Sequence, residues 1–336
     1  MDWLAQLGLL ALAAVLTGWG SVRVETSAGR LADRAGLGPL VRGSLVVAVA
    51  SSFPELTATM AAAAVHGDAE LGLSAVIGSA IFNVLVIPGA SVLAAGPLPL
   101  RRTLVYRDGQ FYLIAVAVLL LTFCFAVLYA PVEGAPLTGR VGRPLAMLPL
   151  AFYGLYLFLQ YEDRGDGGPA PEARTPDGGT LGDVLRLGAG LVAIVAGVEG
   201  LLRVALFLGE ALDTPTLLWG GTVVAGVTSA PDLVMSVRAA RRSEADVSIG
   251  NVLGSNVFDL LVVVPSAVLV AGSMDVALGT AVPLMAALTI ATVALFAALR
   301  TDLRFSRPEA GLMVALYGAF VVWLTLEGFG LTQVLR

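Results

Sequence analysis

Residues 220–265 read GGTVVAGVTSAPDLVMSVRAARRSEADVSIGNVLGSNVFDLLVVVP. Two carboxylates, Asp232 and Asp259, sit inside these apolar runs, each beside a helix breaker: Pro231 in one case, Gly254-Ser255 in the other. An aspartate at the centre of a membrane helix costs about 2.5–3.5 kcal/mol on insertion scales, so such a group is read first as part of an ion pathway. A degraded copy of the stretch runs from Gly43 to Gly89, and the site is therefore expected to be built twice.

The composition around this stretch agrees. The chain of 336 residues is 57% hydrophobic and 13% charged, with a mean hydropathy of +0.87, which places it among membrane proteins. All 20 basic residues are Arg, and no basic run is interleaved with aromatics, so nucleic-acid binding is not expected. Cys124 is the single cysteine and lies in an apolar run, which excludes an intrachain disulfide. The first twenty residues lack a basic leader and read as a retained first span. No phosphate-binding Gly loop, Ser/His/Asp set or HExxH motif is present, so an enzyme has no visible machinery.

Apolar runs bounded by Arg, Gly and Pro predict ten spans near 3–22, 41–65, 71–95, 110–130, 144–161, 183–208, 216–238, 246–271, 276–299 and 310–330. The fold class expected is an all-α polytopic membrane protein: ten helices in two inverted repeats of five, with broken helices around a central cation site. A charged, Gly/Pro-rich linker at 162–182 separates a first half, 1–161, from a second, 183–336. With both termini outside, the cytoplasmic loops hold 16 arginines and the opposite face three, Arg140, Arg143 and Arg336. That bias predicts a multi-pass protein of the cell membrane with external termini. Five spans per half force the two copies to enter the membrane from opposite faces, the layout of many secondary transporters.

Gly43–Glu55 matches Gly220–Asp232 at six of 13 positions, and Ala69–Asn83 matches Ala245–Asp259 at five of 15. Glu55 faces Asp232, Ser51 faces Thr228, Ser52 faces Ser229, Ser79 faces Ser255, and Asn83 faces Asp259. Pro54 and Pro231 should free the carbonyls of Ala50 and Val227, which in lipid need another partner. Ser79 and Ser255 precede Asn83 and Asp259 by four positions and share their helical faces. The set is all oxygen, suited to hard cations such as Ca2+ or Na+. Small and hydroxylated residues also serve helix packing, but packing does not explain two carboxylates placed just after equivalent prolines. His66 is expected in an interfacial loop, Glu199 and Arg203 as a pair on one helix face, and Glu327 at the outer interface.

The paired motifs ASSFPEL with IGSAIFN, and VTSAPDL with GNVLGSNVFD, resemble the two alpha repeats (43–89 and 220–265) of the cation/calcium antiporter superfamily, in particular its sodium/calcium exchangers. The resemblance implies Na+/Ca2+ exchange by alternating access, without a cofactor, with the bilayer and the two ions as partners. It implies Glu55 and Asp232 as shared ligands. Ser51, Ser52, Thr228, Ser229, Ser79 and Ser255 would bind Na+ with the carbonyls of Ala48 and Ala225, and Asn83 and Asp259 would complete the centre. The first and sixth spans would slide as gating helices. Ala75 and Ala80 stand where the family usually has Asn, and Ser51 where it usually has Thr, which bears on ion affinity. H+ coupling, K+ dependence, stoichiometry and oligomeric state stay open, although one chain holds all the expected ligands. A channel or a non-transporting scaffold is the reading from another class; the retained acids argue against the scaffold and the inverted broken helices against the channel.

Overall fold

The computed structural model describes residues 3–36, 46, 48–162, 179–332 and 334. Gly43 and Val47 of the first repeat, most of the linker, and Arg42, Arg164, Arg174 and Arg336 from the orientation count lie outside the described residues.

Among the described residues twelve helices carry the fold: α1 Trp3–Arg34, α2 Ala48–Ser51, α3 Phe53–Ala64, α4 Ala69–Ala95, α5 Leu104–Tyr129, α6 Arg143–Glu162, α7 Thr180–Leu212, α8 Thr216–Thr228, α9 Ala230–Arg241, α10 Ala245–Ala271, α11 Leu278–Arg300 and α12 Arg307–Gly328. Among the described residues eight are long and apolar enough to cross a membrane, and α8 with α9, bent by 44°, makes a ninth. The pair α2 and α3 is its counterpart in the first half. Both breaks fall where the prolines place them. Ser52 (φ −88°, ψ 11°) and Ser229 (φ −81°, ψ −7°) adopt nearly the same geometry at the edge of the helical region, and each is followed by a helix with proline in its first turn.

The spans form two packed groups. The larger core is built from α4, α5, α6, α10, α11 and α12. A second gathers α1 and α7 against α3. Glycine sets that contact: a Cβ on Gly20 would lie 2.7 Å from the Gly190 carbonyl, and one on Gly197 2.8 Å from the Thr17 nitrogen. The two helices are also clamped at one end, where buried Asp183 accepts Arg30 Nε at 2.8 Å and meets Arg34 Nη2 at 3.0 Å.

Repetition extends beyond the two motifs. Arg143–Gly154 of α6 and Arg307–Gly318 of α12 share seven of 12 positions, Arg-Pro and Tyr-Gly among them. Among the described residues the loops contain two short ribbons that the helical reading did not include. β1 (Leu98–Pro99) pairs with β4 (Arg304–Phe305), and β2 (Thr138–Gly142) with β3 (Ser273–Ala277), both antiparallel. Each joins a loop of one half to a loop of the other, and inverting the halves exchanges the two. They cap opposite faces of the bundle: the arginine-rich face carries β1·β4, the arginine-poor face β2·β3.

The second ribbon is pinned by Arg140, whose Nε and Nη2 donate to Asp275 at 2.7 and 3.0 Å. That guanidinium holds the Asp275 carboxyl below the usual carboxylate range. A depressed folded value means the stabilisation is fully present above about pH 4, the unfolded value, and is lost as pH falls through the folded one. The pair is solvent-exposed, so Asp275→Asn is expected to cost no more than about 1 kcal/mol. Melting wild type and variant in detergent at pH 7 and at pH 3 checks this: the small difference at pH 7 should narrow at pH 3.

Candidate functional site

Where the broken helices meet, at the seam between α3, α4, α9 and α10, the structure brings together the carboxylates and hydroxyls of the two repeat motifs. Glu55 and Asp232 occupy the first turns of α3 and α9, where the positive helix end favours an anion. Both are buried, as are Asp259, Asn83, Ser51, Ser52, Ser79, Thr228, Ser229 and Ser255. Asp259 begins a widened π turn, Asp259–Val263, in α10, whereas the equivalent residues 83–87 of α4 are regular α-helix. Such turns are frequent at functional positions.

The hydroxyls are exchanged between the halves. Ser79 Oγ lies 2.6 Å from Ser229 Oγ and 3.4 Å from Glu55 Oε1. Its counterpart Ser255 lies 3.1 Å from Ser52 Oγ and donates to Asp232 Oδ2 at 2.9 Å. Ser51 and Thr228 each donate to the carbonyl three residues back, Ala48 and Ala225, both at 3.2 Å. Those carbonyls also accept the amides of Ser52 and Ser229. Val227 differs from the expectation of a carbonyl freed by Pro231, because the Ser229 amide reaches it as well as Ala225.

Two residues outside the predicted set break the symmetry. Asn251 donates to Asp232 Oδ1 at 3.4 Å. Asn256, fully buried, accepts from Asn83 Nδ2 and donates to the Ala80 carbonyl and the Tyr112 hydroxyl. The repeat alignment sets Asn251 and Asn256 opposite Ala75 and Ala80, so the first half lacks both amides. The consequence is visible in unmatched acceptors. Among the described residues Glu55 Oε2, Asn83 Oδ1 and both Asp259 oxygens are buried without a hydrogen-bond partner. Ser52 lies close enough to influence Asp259, but its hydroxyl bonds Ser255. Buried acceptors left without donors are costly, and a cation is one kind of group that satisfies oxygens of this sort. No three His, Cys, Asp or Glu side chains among the described residues form a metal site by themselves. An ion here therefore needs the hydroxyl, amide and carbonyl oxygens too.

Loss of a partner that orients a metal ligand typically costs 10- to 100-fold in metal affinity. For a cation held at Asp232, Asn251→Ala is accordingly expected to weaken binding about tenfold, read by titrating the purified chain and the variant with a divalent cation.

Access to the centre is one-sided. A cavity of about 320 Å3 reaches Ser51, Asn251 and Ser255 from between α6 and the start of α10, bounded by Tyr153, Tyr156 and Gln160. It lies toward the arginine-rich face, where α6 ends and α10 begins. On the opposite side the equivalent wall is closed. Leu71 is fully buried while its counterpart Val247 is 59% exposed. A Cβ on Gly78 would lie 2.5 Å from the Gly221 carbonyl, whereas one on the equivalent Gly254 would meet nothing within 4 Å.

Other charged groups are placed as follows. His66 Nε2 lies 3.0 Å from Glu199 Oε2, while Glu199 Oε1 pairs with Arg203 at 2.7 Å, so the loop after α3 contacts α7. Glu25 of α1, half-buried, is near enough to Asp232 to interact with it; no motif pointed to it. Glu327 does not reach the interface: it is 8% exposed and accepts the Thr332 hydroxyl and the Val334 amide, because the chain folds back over it after α12.

An inverted pair of broken helices enclosing buried carboxylates within a bundle of membrane helices defines a secondary cation transporter rather than an enzyme. The sodium/calcium exchanger protein family matches residues 5–162 and 183–326, and the chain belongs to that family. It is 28% identical to the inner membrane protein YrbG of Escherichia coli over 332 residues, 95% of each chain. It is 26% identical to the sodium/calcium exchanger MaX1 of Methanosarcina acetivorans over 283 residues, 76% of this chain and 80% of that one. The putative antiporter CaxA of Alkalimonas amylolytica is 28% identical over 270 residues, 78% and 80% of the two chains. The solved structure of the sodium-calcium exchanger NCX_Mj superposes with a TM-score of 0.62 at 22% identity, covering 94% of this chain and 97% of that one, and so shares the fold of ten spans.

Proposed function

We propose that this protein exchanges Na+ for Ca2+ across the membrane by alternating access. The observation that carries the reading is the set of unmatched acceptors at the seam: Glu55 Oε2, Asn83 Oδ1 and both oxygens of Asp259. Ca2+ takes six to eight oxygens, and it would draw on Glu55, Asp232, Asn83 and Asp259. Na+ would use the same carboxylates with Ser51, Ser52, Ser79, Thr228, Ser229 and Ser255 and the Ala48 and Ala225 carbonyls. Competition for shared oxygens couples the two fluxes. The names of MaX1 and NCX_Mj, sodium/calcium exchangers, support the choice of ions.

The two halves, 1–161 and 183–336 joined by a linker at 162–182, would alternate access through their inverted symmetry. The cavity on one side and the closed Gly78–Gly221 contact on the other support this. The tightly packed pair α1 and α7 is suited to slide over the larger core. Arginine distribution favours termini outside the cell membrane, and YrbG is named as an inner membrane protein.

A second reading, H+-coupled exchange, is favoured by Asp259 alone, since a buried carboxylate without donors is neutralised by a proton as well as by a cation. Flux of labelled Ca2+ in proteoliposomes at clamped voltage separates the two. Uptake driven by an outward Na+ gradient at equal pH supports Na+ coupling. Uptake that needs a pH gradient and ignores Na+ replaces it with the second reading, and a requirement for K+ on the Na+ side adds a third ion.

A further inference from the structure

An apolar groove lies far from the cation centre, on the lipid-facing wall near the arginine-poor face. Its volume is about 600 Å3, within the ~300–1,000 Å3 typical of small-molecule sites. Phe125 and Tyr129 of α5 form one side, Pro144 and Leu145 of α6 the other, and Arg140 of β2 the end. Along the same face of α5, Leu121, Leu128 and Tyr129 are 50%, 66% and 77% exposed. In a membrane helix such residues face lipid, and Tyr at the end of the span marks the headgroup level.

The charge at the end of this groove is unusual for its face. Arg140 and Arg143 are the described loop arginines of the arginine-poor side, Arg203 there lying within α7 and paired with Glu199, and both loop arginines are here. Arg140 spends Nε and Nη2 on Asp275, which neutralises its charge but leaves Nη1 free to donate. Arg143, held between the groove residues Gly142 and Pro144, donates Nε to the Leu269 carbonyl at 3.2 Å. Among the described residues it has no carboxylate partner, so the cluster of Arg140, Asp275 and Arg143 carries one net positive charge. An apolar recess open to the bilayer has unpaired van der Waals surface, and the nearest filler is an acyl chain. The Arg140 guanidinium lines its headgroup end, with Arg143 beside it in the chain, and guanidinium groups match a phosphate.

We propose that this groove binds one anionic phospholipid of the leaflet on the arginine-poor face. Its acyl chain would lie between Phe125 and Leu145, and its phosphate on Arg143 and the free edge of Arg140. The net charge makes the site select an anionic over a zwitterionic lipid. Because Arg140 also pins the ribbon between the halves, the bound lipid would sit on the strap that joins them.

The test is native mass spectrometry of the purified full chain, delipidated and then titrated with phosphatidylglycerol or phosphatidylcholine of the same acyl chains. Wild type is expected to retain one phosphatidylglycerol at least tenfold more tightly than phosphatidylcholine. Arg140→Gln with Arg143→Gln should abolish that preference, and Leu145→Trp, which fills the groove, should abolish retention of both. Asp275→Asn frees Arg140 while breaking the ribbon pair and should keep or strengthen retention, which separates lipid binding from a structural effect of the arginines. Equal retention of the two lipids by wild type, unchanged preference in the double arginine variant, or dimers that form only without lipid and cover the groove would each overturn the assignment.

Discussion

Replacing Glu55 with Gln or Asp232 with Asn is expected to lower the initial rate of Na+-gradient-driven Ca2+ uptake by at least about 100-fold, the upper end of what losing a mere orienting partner costs a metal site. Each change conserves shape and removes one charge. Glu55 stands in the first turn of α3 with one oxygen on Ser79 and the other unmatched; an amide there would turn two protons toward a place where only acceptors converge. Asp232 is held by Ser255 and Asn251, and Asn would set a donor against donors. Because the replacements are isosteric, both proteins should still elute as monodisperse species, so a lost flux reports on ion binding. Near-normal uptake by both variants, with wild type active, would remove these residues from the centre.

The second large effect is expected at a residue that touches no ion. A Cβ on Gly78 would lie 2.5 Å from the carbonyl oxygen of Gly221 and 2.6 Å from its Cα, and backbone cannot rotate aside. Overpacking of this kind costs about 1–3 kcal/mol, so Gly78→Ala should shift the equilibrium away from the conformation described here by roughly 5- to 150-fold. Gly254→Ala meets open space in this conformation and should leave it populated. The readout is a cysteine at Leu71, buried here, in a background with Cys124 replaced by Ala. Gly78→Ala is expected to expose it to a membrane-impermeant maleimide from the arginine-poor side and to slow exchange in proportion. Unchanged labelling together with unchanged transport would show that this contact does not hold the closed side.

These two residues mark how far the chain could be read. Glu55 was legible because an acid after a proline in an apolar run recurs at Asp232, and repetition turns an oddity into a pattern. Gly78 was legible only as one match of a repeat; its closeness to Gly221 depends on how α4 docks against α8. The same holds for Asn251 and Asn256. The gaps opposite them, Ala75 and Ala80, could be noted from the resemblance, but which oxygens they leave unmatched could not. The ribbon between β2 and β3 carries no alternating pattern strong enough to be distinguished from a polar loop.

The sequence by itself determined the ten apolar spans, the inverted repeat, the two proline breaks and the acid beside each, because hydrophobic length, charge bias and helix chemistry act locally along the chain. The tertiary structure alone decided that Ser79 meets Ser229 and Ser52 meets Ser255, that Asp259 is left without a donor, and that the centre opens to one face. Those contacts join residues 150 to 203 positions apart, and helical periodicity fixes which face of a helix is polar but not what comes to lie opposite it.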